Sequence, residues 1–314
     1  MNVLSLFDGM SCGRIALDEL NIDVKNYYAS EINKYAIKVT QHNYPNTKQI
    51  GDIKKLTKEK LDKLPKIDLI IGGSPCQDLS IAMKNRKGLR GPKSSLFFEY
   101  LRILKYINPK YFLLENVGRI RQSDKDVITH FLGVEPIKIN SKLVAPALRG
   151  RLYWTNIEVD GKPKKVENNL SANLDKGYTD RKKSRAILAS DSRPLRTPVK
   201  MFHRYYNTGF TTLIFKNKQH YLDCVEHYDT NYSDKSAREI ECNSDIYDGV
   251  RYLNQRELER MQTVPEGYTD ILTRNQAAKV LGNGWTVGVI KHIVKRISKK
   301  KIVAEKKTLN ISKI

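Results

Sequence analysis

Over its first 155 residues the chain alternates short apolar runs with helical patterns, and that alternation constrains the fold more than any other feature. Val3-Leu4-Ser5-Leu6-Phe7 reads as a strand, followed by a glycine turn and a helix to about Leu20. Tyr27-Tyr28-Ala29-Ser30 reads as a strand ending at Glu31, and Ile67 to Ile71 as another. Leu96 to Ile107 reads as a helix and Tyr111 to Leu114 as the next strand. Strand and helix in turn imply βαβ units, a mainly parallel sheet and an open α/β fold. Such sheets place ligands at the carboxyl ends of their strands. The residues just after each apolar run are therefore the first candidates for chemistry.

Two strand ends stand out. Gly72-Gly73-Ser74-Pro75-Cys76-Gln77 follows Leu69-Ile70-Ile71, a small-residue turn that can expose one thiol at the sheet edge. Cys76 is either that reactive thiol or a small buried one, since cysteine is among the most buried residue types. Pro75 and Asp78 on either side of it argue against a dry core. The run Tyr111 to Leu114 continues into Glu115-Asn116-Val117. Glu115 is either paired structurally or set up for proton transfer. A thiol and a carboxylate on neighbouring strand ends can act on opposite sides of one flat heterocycle.

Three further positions lie on the same edge. The turn Phe7-Asp8-Gly9-Met10-Ser11-Cys12-Gly13 lets a ligand approach the backbone and face the next helix. It is not G-x-G-x-x-G, which argues against an ordinary dinucleotide site. Glu31 is placed either to bind ribose hydroxyls or to cap a helix. Asp52, after Gly51, is placed either to bond an adenine amine or to N-cap the 53–63 segment. In Ala147-Leu148-Arg149-Gly150-Arg151-Leu152-Tyr153-Trp154, alternation puts Arg149 and Arg151 on one strand face. That face either clamps a phosphate or base oxygen or is simply solvated.

The 314 residues suffice for one large domain and a small one. Lys and Arg number 56 against 34 Asp and Glu, a net charge of +22, which favours a polyanionic partner. Nucleic acid is the first choice and an anionic membrane surface the second. No apolar run approaches the roughly 20 residues needed to cross a bilayer. Met1 to Asp8 has no basic n-region or cleavage pattern, so no secretory signal is expected. Cys12, Cys76, Cys224 and Cys242 lack metal-type spacing, so free thiols and no metal are expected. Residues 156–250 lose apolar periodicity and read as a small, irregular, basic and aromatic module. Helical patterns return in 253–261, 275–281 and 287–297, and the lysine-rich tail after Ser298 is expected to fray. The expected division is 1–155 with 251–298, then 156–250, then a 299–314 tail.

The order of these motifs resembles the DNA cytosine-5 methyltransferases over about 1–155 and 250–295. Phe7–Gly13 resembles the family's S-adenosylmethionine loop, Pro75-Cys76-Gln77 its catalytic Pro-Cys-Gln, and Glu115-Asn116-Val117 its Glu-Asn-Val. Arg149-x-Arg151 resembles the arginines of its Gln-x-Arg-x-Arg, although Ala147 replaces the glutamine. Leu281-Gly282-Asn283-Gly284-Trp285-Thr286-Val287 resembles its late Gly-Asn-x-x-Val element. Within the family, Leu6-Phe7-Asp8-Gly9, Ile71 to Cys76, Asp78-Leu79-Ser80-Ile81, Arg86-Lys87-Gly88-Leu89 and Leu96-Phe97-Phe98-Glu99 are most like the de novo enzymes. Trp285 fits the same subgroup, and the chain otherwise resembles a minimal bacterial or phage enzyme. Ser11-Cys12 stands where many bacterial members have glycine, and the 156–250 module is short for a target-recognition domain.

The resemblance implies a Rossmann-like, S-adenosylmethionine-dependent methyltransferase sheet with a small irregular target-recognition domain. It implies catalysis by Cys76, Glu115, Asn116, Arg149 and Arg151. It implies cofactor contacts from Phe7, Asp8, Gly9, Ser11, Gly13, Glu31, Asp52, Ile53, Asn283, Trp285 and Val287. DNA contacts are implied for Ser80, Arg86, Lys87, Arg185 and Thr212. The implied partner is double-stranded DNA, with no membrane, in a monomer or homodimer of restriction-modification type. The implied place is the cytoplasm, at the nucleoid or in a phage host. Two alternatives stay open. One is an RNA (tRNA) cytosine-5 methyltransferase, whose relatives carry a Cys-Phe-Thr element not found here. The other is a catalytically silent DNA-binding regulator.

Overall fold

The computed structural model describes residues 1–75, 89, 95–187, 197–240 and 245–297. Two compact units divide the chain. The first holds residues 1–140, 150–164 and the chain from 285; the second holds 141–149 and 165–284. The sequence reading had joined 251–284 to the sheet, whereas by compactness these residues go with the second unit.

The first unit contains one seven-stranded sheet. Its strands are β1 (Asn2–Leu6), β2 (Asn26–Ser30), β3 (Lys48–Gln49), β4 (Leu69–Gly73), β5 (Tyr111–Val117), β6 (Ile137–Asn140) and β7 (Gly150–Thr155). The order across the sheet is β3-β2-β1-β4-β5-β7-β6. Strands β1 to β5 pair in parallel, and β7 runs antiparallel to both β5 and β6. After building outward from β1 to β3, the chain returns to the other side of β1 to lay down β4. That reversal is the switch point at which doubly wound sheets open a crevice at their strand ends. Register aligns the edge: Leu6 lies opposite Ser30 and Gly72, and Gly73 lies opposite Glu115.

The parallel strands are apolar runs because both faces are covered. Val3, Leu4, Leu6, Leu69, Ile70, Ile71, Leu113 and Leu114 are all buried. The helices are α1 (Cys12–Asp18), α2 (Lys34–Asn43), α3 (Lys58–Leu61), α4 (Leu96–Ile107), α5 (Gln122–Leu132) and, among the described residues, α10 (287–297). Helix α4 shows why the pattern works. Phe97, Tyr100, Leu101 and Ile103 fall on one face at helical spacing and are buried, and Asn108 ends the helix in a left-handed cap. The expected first strand ran one residue too far, because Phe7 already turns at φ 59°.

The second unit contains α6 (Pro198–Thr208), α7 (Lys218–Asn231), α8 (Gln255–Met261) and α9 (Arg274–Asn283). Two of these helices lie in the stretch read as irregular. Their buried face is built of rings rather than aliphatic side chains. Phe202 packs against Phe215, Tyr228 and Tyr247 with centroids 6.0, 5.4 and 5.3 Å apart. Tyrosine carries little weight as a core residue in an apolar count, so the helical period was hidden. Cys12 and Cys224 are buried and not joined in a disulfide, whereas Cys76, Cys242 and residues 298–314 lie outside the described residues. No helix among the described residues is long and apolar enough to cross a membrane.

Gly72 tests the packing of the sheet edge. A Cβ there would stand 2.8 Å from the Leu6 carbonyl oxygen and 2.9 Å from the Tyr100 ring. Gly72→Ala is expected to destabilise by about 1–3 kcal/mol, the usual range for overpacking. Gly150→Ala, whose Cβ would meet nothing nearer than 4.0 Å among the described residues, should be neutral or slightly stabilising. Urea midpoints of the two variants check the contrast.

Candidate active site

The loop after β1 is bent by three left-handed residues, Phe7, Gly9 and Ser11, at φ 59°, 61° and 62°. Two of these are not glycine, so the bend is held by side-chain bonds. Ser11 Oγ donates to Asp8 Oδ2 at 2.5 Å and Tyr27 Oη donates to Asp8 Oδ1 at 2.7 Å. Glu31, just after β2, ties this loop to its neighbour. Its Oε2 accepts from the Gly9 amide at 2.8 Å, and its Oε1 accepts from the amides of Ile32 and Asn33 at 2.7 and 2.8 Å. Asn33, not Glu31, caps α2 through the amides of Tyr35 and Ala36. Asp52 does cap, accepting from the Lys54 amide at 3.0 Å, and Ile53 beside it is buried. Gly13 lies against Tyr27 and the Trp285 ring, where a Cβ would stand 3.4 and 3.5 Å from them.

Glu115 lies near the end of β5, two residues before the strand ends at Val117. Arg151 Nε, on β7, stands 2.8 Å from its Oε1 as an ion pair. Trp285 Nε1 donates to its Oε2 at 3.1 Å. Both contacts leave a lone pair on each carboxylate oxygen for a further donor. The opposing residue on β4 is Gly73, and a Cβ there would stand 2.9 Å from both Glu115 Oε2 and Trp285 Nε1. Asn116 is buried next to Glu115, and its Nδ2 donates to Ser74 Oγ at 3.1 Å and Ser74 O at 3.4 Å. Asn116 therefore joins the residues after β4 to those after β5. Cys76, two residues beyond Ser74 in the chain, lies outside the described residues, as do Ser80, Arg86 and Lys87.

The two arginines go to different partners. Arg149 precedes β7 and is buried in the second unit, where it donates to the carbonyls of Gly282 and Gly284 at 3.1 and 2.8 Å. It thus places a cation at the carboxyl end of α9, where the helix dipole favours one. A shared strand face for both arginines requires both to lie in the strand, and β7 begins only at Gly150. Asn283 is exposed at the end of α9, and Val287 is buried in α10. In the second unit Thr212 Oγ1 accepts from the amide of the exposed Arg185 at 2.8 Å. Two residues that sequence reasoning missed belong to the edge. Tyr27 read only as part of a strand, yet its phenol holds Asp8. Ile32 is 74% exposed, and its signal was an apolar residue directly after a strand-end acid.

Comparison with known proteins fits this geometry. The family described as C-5 cytosine-specific DNA methylase matches residues 1–133 and 148–299. The chain belongs to that family. An orphan methyltransferase, M.SPRI of Bacillus phage SPR, is 35% identical over 172 residues, covering 51% of this chain and 38% of that protein. The chain thus spans little more than a third of that phage protein's length. The type II methyltransferase M.NlaX of Neisseria lactamica is 28% identical over 320 residues, 94% of this chain and 95% of its own. The DNA (cytosine-5)-methyltransferase DRM2 of Arabidopsis thaliana is 39% identical over 121 residues, 35% of this chain and 19% of that one. In fold, the chain matches a Spodoptera frugiperda DNMT2 mutant with TM-score 0.66 and 19% identity, over 94% of this chain and 98% of that one.

Asp8 gives this family member a pH signature. Desolvation pushes its carboxyl from 3.8 up to about 6, against hydrogen bonds from Ser11, Ser5 and Tyr27 that lower it. Because the folded value is the higher one, the folded protein holds more protons than the unfolded chain between about 4 and about 6. The contribution of Asp8 to stability is full below its unfolded value and is lost as pH rises through about 6. Denaturant midpoints of the wild type and Asp8→Asn, compared from pH 4 to 7, should show the wild type losing ground to the variant as pH rises. A constant difference across that range would mean that Asp8 does not titrate there.

Proposed function

We propose that the chain methylates carbon 5 of cytosine in double-stranded DNA, using S-adenosylmethionine and a covalent adduct to Cys76. The observation that carries this reading is Glu115, held by Arg151 and Trp285 opposite the glycine that leads into Ser74-Pro75-Cys76. The charge of +22 supports a nucleic-acid substrate.

The residues of the β1–β2 edge fit the cofactor. Among the described residues, Gly9 has open space where a Cβ would stand, Glu31 is fixed just after β2 beside it, and Ile32 offers an apolar side chain to a base. When bound, S-adenosylmethionine supplies an electrophilic methyl group to carbon 5 and leaves as the neutral thioether. Glu31 would bind ribose hydroxyls, and the left-handed turn through Phe7, Gly9 and Ser11 would bring backbone groups against the ligand.

Cytosine carbon 5 is a weak nucleophile inside the duplex stack, so the base must first be flipped out, at roughly a few kcal/mol. The Cys76 thiolate forms a bond to carbon 6, and the displaced ring electron pair makes carbon 5 nucleophilic. Glu115 accepts from the exocyclic amine and shares a proton with ring N3, which holds the charge that develops on the ring. Arg151 and Trp285 fix the carboxylate for this task, and Asn116 fixes the residues after β4. After methylation the carbon 5 proton leaves to a base, its electron pair re-forms the double bond, and the thiolate departs from carbon 6.

The test is transfer of labelled methyl from S-adenosylmethionine to unmethylated duplex DNA and, in parallel, to RNA, with bisulfite sequencing of the product. Methylcytosine in one short DNA context is expected; transfer to RNA alone would replace the substrate. Cys76→Ala should abolish turnover while keeping DNA affinity, and substantial methylation by it would overturn the mechanism. Trp285→Phe keeps the ring but removes the donor to Glu115. A hydrogen bond to a charged group is worth about 1.5 kcal/mol or more, so methyl transfer should slow at least about tenfold.

A further inference from the structure

Phe210 is 67% exposed, yet the turn that carries it is held on both sides. Gly209 ends α6 at φ 62°, and its carbonyl accepts from Arg181 Nη1 at 3.0 Å. The Phe210 amide donates to Thr208 Oγ1 at 3.3 Å. Thr211, Thr212 and Leu213, which follow, are buried, and Thr212 is bonded to the Arg185 amide. A rigid backbone therefore presents one phenyl ring to solvent. Burying a phenylalanine ring is favourable, and a ring held in place loses little entropy when a partner covers it.

The charge around the ring says what that partner is. Between 180 and 210 the sequence carries eight lysines and arginines and two acids, Asp180 and Asp191, of which Asp180 stands 3.9 Å from Arg181 Nε. The cations Arg181, Lys182, Arg185 and Arg204 lie on the segments flanking the turn, and Arg181 itself stacks over Tyr205 at 4.7 Å. A second copy of this surface would be repelled by its own charge, whereas a nucleic acid is drawn to it. Arginine and lysine meet phosphates and fix position without reading sequence. An exposed ring on a turn between basic segments can meet what lies between the phosphates, the face of a base or the step between two.

We propose that Phe210 is a DNA-contacting residue that stacks on a nucleobase and so positions the duplex for methylation. This rests on the reading of the chain as a DNA methyltransferase.

The experiment compares the full-length wild type with Phe210→Ala, Phe210→Leu and Phe210→Trp. Its substrate is unmethylated bacterial genomic DNA, with S-adenosylmethionine binding and the thermal midpoint as controls. Phe210→Ala should lower kcat/KM for DNA at least tenfold, with both controls unchanged and with the salt dependence of DNA binding preserved. Phe210→Trp should stay within threefold of the wild type, and Phe210→Leu should not recover. Equal activity of Phe210→Ala overturns the inference and leaves the enzyme reading standing. Full recovery by Phe210→Leu overturns the stacking role. A wild-type dimer that Phe210→Ala dissolves with methylation unchanged would assign the ring to a second copy and overturn the inference. A wild type inactive on duplex DNA removes the enzyme reading and this inference together.

Discussion

The site at the sheet edge depends on a missing side chain. Gly73 leaves room for the Glu115 carboxylate and the Trp285 indole to meet over the end of β4, where any Cβ would stand 2.9 Å from both. With that space open, one carboxylate can take an arginine on one oxygen and an indole N–H on the other. The parallel register between β4 and β5 does the rest, because it puts Gly73 and Glu115 at the same height. Asn116, one residue on, then reaches back to Ser74 and joins the two strand ends.

Much of this was legible in the sequence, for a physical reason. A parallel strand covered on both faces must be apolar throughout, so its end is marked by the first polar residue. Glu31, Glu115 and the turn at Gly72-Gly73 were found that way. Their partners were not. Trp285 is 170 residues from Glu115, and nothing local to either shows the bond. The two arginines misled because an alternation argument assumes one strand, and Arg149 stands just before it begins. Tyr27 was placed correctly in a strand, but strand patterning says nothing of its hydroxyl, which serves the loop after β1. The aromatic helices of the second unit were missed because their packing is made of tyrosine, phenylalanine and histidine rings.

Charge is used in two ways. Over the whole chain cations dominate, which suits a polyanionic partner. At the β1–β5 edge the prominent groups are acids, and each is handled separately. Asp8 is held by two hydroxyl donors and pushed toward its neutral form. Glu31 is held by backbone amides, and Glu115 by Arg151 and Trp285. An acidic edge in a basic protein fits the proposed reaction, in which a cationic cofactor and a flipped base would need acceptors while the phosphates would need cations.

Glu31 has one more consequence. Its carboxylate is the shared acceptor for Gly9, in the loop after β1, and for Ile32 and Asn33, in the loop after β2. Neither loop can swing away without breaking a charge-assisted bond. The two are therefore latched, and they open as one cooperative unit rather than as two independent fraying segments. The amides of Gly9 and Ile32, 23 positions apart in the chain, should lose their protection from solvent hydrogen together.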